Sequence, residues 1–293
     1  MGEMSVSGLR NTLHMALGAL SLGAMAFGAP LAAKPGTQAA AAPAPGDRYV
    51  ALGSSFAAGP GVGPNTPGTP ARCGRGTLNY PNLVASALRL ELVDATCSGA
   101  TTEHVLGPWN ELPAQIESVD ARTRLVTVTI GGNDVSFVGN IFAAACEQMQ
   151  KPDARCPKWR NVTEAEWQGD EDRMRRIVRT IRQRAPRARV IFVDYITVLP
   201  PEGSCQAVPV SAERLGQSRT AAQRLSNMTA RVARLEKAEI VTFSALSRNH
   251  SPCSPQAWSN GLSAPEGDGI PIHPNRKGHA AAANALEWYI TGK

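Results

Sequence analysis

The sequence lacks the residue patterns that mark a zinc protein or a nucleic-acid-binding module. Histidine occurs only five times, and none of the six cysteines stands in a C-x-x-C pair. Zinc sites need closely spaced Cys and His ligands, so these absences argue against a structural zinc ion. No zinc-finger or RNA-binding signature is present either, and no internal repeat is visible. We therefore predict neither a bound metal nor a nucleic-acid partner.

Long hydrophobic runs are also scarce. The main run that could be a membrane-spanning helix or a secretory signal lies near the N-terminus. Residues 15–27 are an unbroken run of apolar and small residues, preceded by Arg10 and followed by an Ala/Pro-rich tract that ends near Pro45. The run is short for a membrane-spanning helix and is typical of a secretory signal. We expect residues 1–42 to be a leader and residues 43–293 to be one domain. An uncleaved membrane anchor is the alternative.

The charge balance is basic. The formal net charge at pH 7 is +6, with 30 Lys and Arg against 24 Asp and Glu. Such a balance suits an anionic partner, such as nucleic acid, a membrane surface or an acidic polymer. Most of the arginines, however, alternate with Glu and Asp in two helical stretches, a pattern typical of solvated helix faces. A nucleic-acid binder that uses residues 173–189 remains an alternative, and a salt titration of binding tests it.

The six cysteines, placed behind an export leader, indicate disulfide bonds. We favour a sequential pairing, because Cys146 and Cys156 enclose a short loop that a bridge closes without threading the chain. The predicted bridges are Cys73–Cys97, Cys146–Cys156 and Cys205–Cys253. Six reduced thiols in a cytosolic protein are the alternative.

Strand-like and helix-like segments alternate along the chain. Short apolar or β-branched runs predict strands at residues 49–52, 92–96, 125–130, 190–195 and 240–243. Helical patterns occupy residues 82–90, 112–119, 135–146, 172–184, 212–236 and 275–290. Strands that alternate with helices form parallel sheets that are covered on both faces. We predict an α/β fold: a three-layer α/β/α sandwich with a five-stranded, mostly parallel sheet.

Three of the predicted strands end in turns of small residues. Ser55 follows the first strand, in the segment YVALGSSFAAGPGVG; Gly99 follows the second, in CSGATT; and Asn133 follows the third, in GGND. Ligands bind at the carboxyl ends of the strands in open α/β sheets, so we expect these turns to converge. Our hypothesis is that Ser55 is a nucleophile. The alternative is that Ser54 and Ser55 merely cap the next helix.

A nucleophilic serine needs a base, and one histidine is well placed for that role. His273 stands in the loop segment PIHPN, directly before the last predicted helix. His279 lies within that helix, where a core or surface histidine is the plainer interpretation. His104 follows the second small-residue turn and is placed to line the cleft. We find no partner for His250, and His14 belongs to the leader.

Four blocks, in order along the chain, resemble the SGNH/GDSL hydrolases, especially their secreted bacterial branch with three disulfides. The blocks are GSSF at residues 53–56, the glycine of CSGATT at Gly99, GGND at residues 131–134, and HPN followed by GH at residues 273–279. Together they span nearly the whole chain after the leader. The resemblance implies a flavodoxin-like sheet and a serine hydrolase without metal or organic cofactor.

The resemblance also implies a role for each matching residue. Ser55 attacks the ester carbonyl, and His273 takes its proton. The backbone N–H groups of Ser55 and Gly99 and the side-chain amide of Asn133 form the oxyanion hole. An ordinary α/β-hydrolase is less suitable, because it holds its serine in a Gly-x-Ser-x-Gly elbow, whereas Ala57 occupies the second glycine position here.

The sequence departs from the family pattern at two positions. Ser54 replaces the Asp that usually precedes the nucleophile. The family's acid usually lies three residues before the histidine, and that position is Ile270. Asp268 lies five residues before His273, so either a bulged loop brings Asp268 to the imidazole or a backbone carbonyl near Ile270 orients it. Both arrangements fix the required tautomer.

These expectations define a secreted or cell-envelope-associated serine esterase or lipase that acts on an ester or lipid substrate as a monomer. A carbohydrate O-acetyl esterase is the nearest alternative, because the same site serves many esters. A binding protein on the same fold, which uses its basic surface on an anionic envelope polymer, is the alternative from a different class. Fold alone does not decide between them, but the intact set of candidate catalytic residues argues against a dead scaffold.

Overall fold

The structure, a computed structural model, describes Met1 and residues 41–148 and 156–292. Most of the predicted leader therefore lies outside the described residues, as does the centre of the loop between Cys146 and Cys156. Contacts join Ala40–Lys293 into one compact unit. No helix among the described residues is long and apolar enough to span a membrane.

Five strands form one sheet, as predicted. They are β1 (Arg48–Gly53), β2 (Glu91–Asp94), β3 (Thr123–Thr129), β4 (Arg189–Val193) and β5 (Glu239–Val241), in the order β2-β1-β3-β4-β5. Every neighbouring pair is parallel, so the sheet is fully parallel and not only mostly so. The central strands are buried along nearly their whole length, which explains their continuous apolar runs.

Helices cover both faces of the sheet. They are α1 (Ser55–Ala58), α2 (Tyr80–Leu88), α3 (Thr102–Leu106), α4 (Phe137–Glu147), α5 (Glu164–Arg184), α6 (Ala212–Leu235), α7 (Phe243–Leu246) and α8 (Arg276–Thr291). The helix α2 packs against α8, whereas α4 and α5 pack against α6. With right-handed crossovers, these two groups lie on opposite faces. The predicted three-layer α/β/α sandwich is confirmed.

The helix α5 differs most from its predicted bounds. It begins at Glu164, within a segment that the sequence pattern had suggested was a polar loop, so the predicted start at residue 172 was wrong. The missed signal is a capping box: the Thr163 backbone N–H donates to Glu166 at 2.7 Å, and the Glu166 N–H donates to Thr163 Oγ1 at 3.3 Å. The predicted helix at residues 112–119 is only a 3₁₀ turn at Gln115–Ser118.

Successive strands are added to one side of β1 and then to its other side, and the point of change between β1 and β3 creates a ligand-binding position. The chain leaves β1 toward β2 on one side and later returns to build β3, β4 and β5 on the other. A crevice outside the carboxyl ends of the strands forms where connections diverge in this way. The turns after β1 and β3, which carry Ser55 and Asn133, flank this crevice.

Three disulfides have the predicted sequential pairing. Cys73 is bonded to Cys97, Cys146 to Cys156, and Cys205 to Cys253. Cys146 lies in the last turn of α4. The other five cysteines lie outside the α-helices and strands, with Cys73 in a short 3₁₀ turn. The Cys73–Cys97 bridge therefore joins the segments that follow β1 and β2, and Cys97 lies two residues before Gly99.

The bridge that closes the longest stretch of chain should contribute most to stability. Cys205 and Cys253 are 48 residues apart, whereas Cys146 and Cys156 are 10 apart. Loop-closure entropy then predicts that a Cys205→Ser/Cys253→Ser variant loses about 4 kcal/mol of unfolding free energy, and the Cys146→Ser/Cys156→Ser control about 3 kcal/mol. Denaturant titration of both variants measures the two losses. A larger loss in the control would contradict the entropic explanation.

Candidate active site

Ser55 lies at a sharp turn between β1 and α1. Ser54, the residue before it, donates its N–H to the Thr129 carbonyl at 3.0 Å, and its own carbonyl accepts from Ala57 and Ala58. Gly53 has φ of +148°, and a Cβ there would lie 2.5 Å from the Thr129 oxygen, so only glycine fits. Ser54 stands at the N-cap position, but its side chain makes no capping hydrogen bond.

His273 reaches Ser55 from the opposite end of the chain. Its Nε2 lies 2.8 Å from Ser55 Oγ, and its Nδ1 lies 2.7 Å from the Pro271 carbonyl oxygen. A carbonyl only accepts, so Nδ1 carries the proton and Nε2 presents its lone pair to the serine hydroxyl. The intervening residue, Ile272, has φ of +56°, a rare and strained conformation for a β-branched residue.

Burial keeps the His273 imidazole neutral. The side chain is almost fully enclosed, which lowers its pKa to about 4, and the Pro271 carbonyl opposes this shift only in part. A base must be unprotonated to accept a proton, so His273 has the form required for that role at neutral pH. Phe56 supplies part of the enclosure, with its ring centroid 4.8 Å from that of His273.

The structure does not bring the Asp268 carboxylate to His273. Asp268 Oδ1 instead accepts the backbone N–H of Arg276 at 2.8 Å, at the start of α8. Of the two arrangements predicted from sequence, the structure therefore has the backbone carbonyl, and this carbonyl belongs to Pro271. The Asp268 backbone is held elsewhere, since its carbonyl accepts from the side-chain amide of Asn260 at 2.7 Å.

The three predicted oxyanion donors lie in adjacent turns. Among the described residues, no protein acceptor is recorded for the backbone N–H of Ser55 or of Gly99. The amide of Asn133 donates one hydrogen to the Ala100 carbonyl at 2.8 Å, which leaves its second hydrogen available. Gly99 has φ of +83°, and a Cβ there would lie 3.2 Å from the Trp109 ring, so this turn also requires glycine.

Asp134, the last residue of GGND, ties the turn after β3 to the turn after β2. Its carboxylate accepts from the Thr102 backbone N–H at 3.0 Å, from the Thr102 hydroxyl, and from Arg173 at 3.2 Å. The Asp134 side chain is only 2% exposed. These charge-assisted bonds hold the Gly99 and Asn133 turns at a constant separation.

Gln115 completes the ladder of β1 beside the nucleophile turn. Its side-chain oxygen accepts the Gly53 N–H at 2.8 Å, and its side-chain nitrogen donates to the Gly53 carbonyl at 3.0 Å. The Cys97 N–H donates to the same carbonyl at 3.0 Å. Gln115 therefore ties the 3₁₀ turn at Gln115–Ser118 to the end of β1, beside the backbone bond that joins Gly53 to the turn after β2.

The remaining described histidines have other surroundings. His279 is a core residue: its Nδ1 accepts the Tyr80 N–H at 3.1 Å, and burial lowers its pKa to about 3. His104 stacks on Trp109 with ring centroids 4.1 Å apart and lines a cavity of about 290 Å³. His250 stacks on Trp258 at 3.7 Å. No group of His, Cys, Asp and Glu in the described part of the chain is arranged to hold a metal ion.

Sequence reasoning assigned no role to Gln115, Tyr195 or Asp134. Tyr195 lies just beyond β4, and its hydroxyl accepts the Gly132 N–H at 2.8 Å. The sequence pattern placed Tyr195 inside the predicted strand at residues 190–195, whereas the observed strand ends at Val193, so the rule that selected Ser55, Gly99 and Asn133, namely a small-residue turn just after a strand, did not select it. Gln115 had no comparable signal, because it lies in a short 3₁₀ turn between β2 and β3.

A serine–histidine pair at the carboxyl edge of a parallel sheet, beside backbone N–H groups that have no protein acceptor among the described residues, is typical of the serine hydrolase class. The model of the GDSL-like lipase/acylhydrolase family matches residues 51–281. The chain belongs to this family, and the resemblance found in its sequence blocks is confirmed. Membership makes it a carboxylic ester hydrolase.

Curated relatives and solved structures agree with this assignment. The chain is 31% identical over 288 residues to Lipase 2 of Streptomyces coelicolor, which covers 92% of each chain. It is 29% identical over 233 residues to a lipase of Streptomyces rimosus, covering 79% of this chain and 82% of the relative.

Two solved structures show the same fold over nearly their whole length. Phospholipase A1 from Streptomyces albidoflavus superposes with a TM-score of 0.67 at 25% identity, and extracellular lipase from S. rimosus with a TM-score of 0.64 at 26% identity. Each comparison covers 82% of this chain and 98% of the other. The three disulfides of the present chain agree with an exported protein, like that extracellular lipase.

A buried carboxyl group lies beneath the GGND turn. Asp170, on α5, is 0% exposed, and one of its oxygens would lie 3.0 Å from a Cβ built on Gly131. Neither oxygen has a hydrogen-bond partner among the described residues. Burial, and next the charge of Asp134, raise its pKa to about 9, although Arg173 opposes the shift. Asp170 is therefore protonated at neutral pH.

Asp170→Asn should stabilise the protein in a pH-dependent manner. Between about pH 4 and pH 9 the folded state binds a proton that the unfolded chain releases, so wild-type stability falls as pH rises through this window. The neutral amide of the variant has no such dependence on pH. The difference in unfolding free energy between variant and wild type therefore grows by at most about 1.4 kcal/mol per pH unit. Denaturant unfolding of both proteins at about pH 4.5, 6 and 8, which lie within that window, measures the difference. A difference that does not grow with pH would show that Asp170 is ionised in the fold.

Proposed function

We propose that this chain is a secreted serine esterase or lipase in which Ser55 is the nucleophile and His273 is the general base. The observation that carries the proposal is the 2.8 Å contact between Ser55 Oγ and His273 Nε2, at the sheet edge where ligands bind. Residues 1–42 act as the export signal, and residues 43–293 are the hydrolase domain, which works as a monomer.

The reaction follows from the direction of this hydrogen bond. Ser55 Oγ attacks the ester carbonyl carbon while its proton moves to His273 Nε2. The tetrahedral intermediate collapses when the imidazolium gives this proton to the leaving alcohol, and the acyl group remains on Ser55. A water molecule then loses a proton to His273 and attacks the acyl carbon, which releases the acid and restores the serine.

A backbone carbonyl, and not a carboxylate, supports the imidazolium in this mechanism. The Pro271 carbonyl accepts Nδ1–H at 2.7 Å and so selects the tautomer with a free Nε2. Its dipole stabilises the cation less than a full negative charge would. The strained Ile272 between the two groups places the ring over this carbonyl, and burial in the folded chain maintains the strained conformation.

Three donors stabilise the oxyanion in this proposal. The N–H groups of Ser55 and Gly99 have no other protein acceptor among the described residues, and Asn133 supplies its second amide hydrogen. Removal of one such donor typically costs about 3–4 kcal/mol of transition-state stabilisation. Because Asn133 and Gly99 belong to turns that are bonded to each other, the donors are preorganised before substrate arrives.

The names of the relatives favour lipid esters as substrates, since they are lipases and a phospholipase A1. A carbohydrate O-acetyl esterase remains the second candidate. An acetyl-xylooligosaccharide esterase from Geobacillus superposes with a TM-score of 0.52, but at 17% identity it supports only the common fold. A role on an anionic cell-envelope surface rests on the basic composition alone.

Hydrolysis of a chromogenic acyl-ester series tests the proposal. The mature protein should hydrolyse these esters, and Ser55→Ala should abolish the activity, because the neighbouring Ser54 has its hydroxyl near Tyr195 and not near the imidazole. Ser54→Ala is the matched control and should retain activity. The acyl chain-length optimum separates an acetyl esterase from a lipase. Equal inertness of wild type and Ser55→Ala on every ester would remove the catalytic proposal and favour an envelope-binding protein.

The pH profile tests how His273 is oriented. Because burial lowers its pKa to about 4 from an ordinary value of 6.5, kcat/KM should fall only when pH drops through the region near 4. Asp268→Asn should leave both kcat and this acid limb unchanged, because Asp268 bonds to Arg276 and not to the imidazole. A large loss of kcat in Asp268→Asn, or a limb near 6.5 that moves in the variant, would assign the orienting role to Asp268.

A further inference from the structure

We propose that Tyr195 is a positioning residue that holds the oxyanion turn against the nucleophile turn. This inference rests on the proposed function, because it assigns Tyr195 a role in the reaction through Asn133. Tyr195 lies two residues after β4, at the same sheet edge as Ser55, and its side chain crosses the ends of β3 and β1. It is 8% exposed and touches no reacting atom.

The Tyr195 hydroxyl bridges two turns that carry proposed catalytic groups. It accepts the N–H of Gly132 at 2.8 Å, and Ser54 Oγ lies 3.4 Å away. Gly132 directly precedes Asn133, and Ser54 directly precedes Ser55. The bond to Gly132 is short and well formed, whereas the contact to Ser54 is long, so the first carries most of the positioning. Burial raises the pKa of Tyr195 well above its ordinary value, which keeps the hydroxyl protonated.

The Tyr195 ring packs against two other aromatic rings. Phe56, the residue after Ser55, lies 4.7 Å away between ring centroids, and Phe137, the first residue of α4, lies 6.0 Å away in an edge-on arrangement. A phenol held in this way has little freedom to follow a moving turn. The ring therefore keeps a constant distance between the GSSF block and the GGND block.

The same packing explains the second glycine of GGND. A Cβ on Gly132 would lie 2.6 Å from Cζ, 2.7 Å from Cε1 and 2.7 Å from the hydroxyl oxygen of Tyr195. These distances are far inside van der Waals contact, so any side chain at position 132 would displace the phenol or the turn. Gly132, whose φ is not in the positive range, is required by this close approach and not by its backbone angles.

Loss of the hydroxyl should affect turnover more than binding. Without it, the Gly132 N–H is left in a buried site without its acceptor, which is unfavourable unless the turn moves to find another. A movement of the turn changes where the Asn133 amide points. Misplacement by about 1 Å can reduce a rate by about a hundredfold, and the loss falls on the transition state, where the oxyanion develops.

Tyr195→Phe removes the hydroxyl and retains the ring, and Tyr49→Phe is its matched control. Tyr49 is also fully buried and bonds through its hydroxyl to Thr127 Oγ1 at 2.7 Å, within the sheet and away from the three turns. Both variants should lose similar thermal stability. Only Tyr195→Phe should lower kcat on a short acyl ester, by about 10-fold to 100-fold, with KM within about twofold of wild type.

A second Asn133→Ala substitution shows whether Tyr195 acts through the oxyanion amide. If it does, Tyr195→Phe should lower kcat much less in the Asn133→Ala background than in wild type, because the amide that it positions is already absent. Additive losses would overturn the proposal, as would a Tyr195→Phe variant whose kcat equals that of Tyr49→Phe. An inert wild-type protein would instead refute the proposed function.

Affinity for an alkylboronic acid supplies a readout that does not depend on turnover. Ser55 Oγ adds to boron to form a B–O bond, its proton passes to His273, and the four-coordinate boron anion places an oxygen at the oxyanion donors. Tyr195→Phe should weaken this affinity by about 10-fold, and Tyr49→Phe should leave it unchanged. Equal affinity in both variants, in protein that melts cooperatively, would reduce Tyr195 to a purely structural residue.

Discussion

Parallel pairing of β1 with both β2 and β3 is the constraint on which the site depends. Because all five strands run in one direction, every turn that follows a strand emerges at the same edge. The register of β1 and β3 places Gly53 beside Thr129, so the nucleophile turn and the GGND turn begin at the same level. His273 then has only to cross this edge, although it lies 218 residues from Ser55 in sequence.

Side chains add to the backbone hydrogen bonds that connect the turns once the strands have ended. Gln115 joins its 3₁₀ turn to the end of β1, Asp134 joins the GGND turn to Thr102, and Tyr195 joins the GGND turn to the nucleophile turn. Two unusual features, one of backbone conformation and one of burial, also lie near these turns. Ile272, a β-branched residue, has a left-handed conformation, and the buried carboxyl group of Asp170 has no hydrogen-bond partner among the described residues. Such exceptions are typical of functional sites in otherwise consistent folds.

The basic composition has a structural explanation in the packing of α5 on α6. Arg175 and Arg179 both bond to Glu236 at the end of α6, and glutamates of α5 pair with arginines of α6. Each pair is partly exposed and contributes little to stability. Together they occupy four of the arginines in the two helical stretches that suggested an anionic partner. The alternation of charge along these helices thus reflects helix–helix contact as well as solvation.

The sequence by itself determined the alternation of strands and helices and singled out Ser55, Gly99, Asn133 and His273, because each rests on a signal within a few neighbouring residues. It favoured the sequential disulfide pairing, but only the tertiary structure brought the paired cysteines together. Only the tertiary structure decided that the Pro271 carbonyl, and not Asp268, faces the imidazole. It alone also revealed Gln115 and Tyr195, which meet their partners across 62 and 63 residues of chain. Hydrogen bonds of this kind depend on distances within about 3 Å, and no local pattern encodes such distances between remote segments.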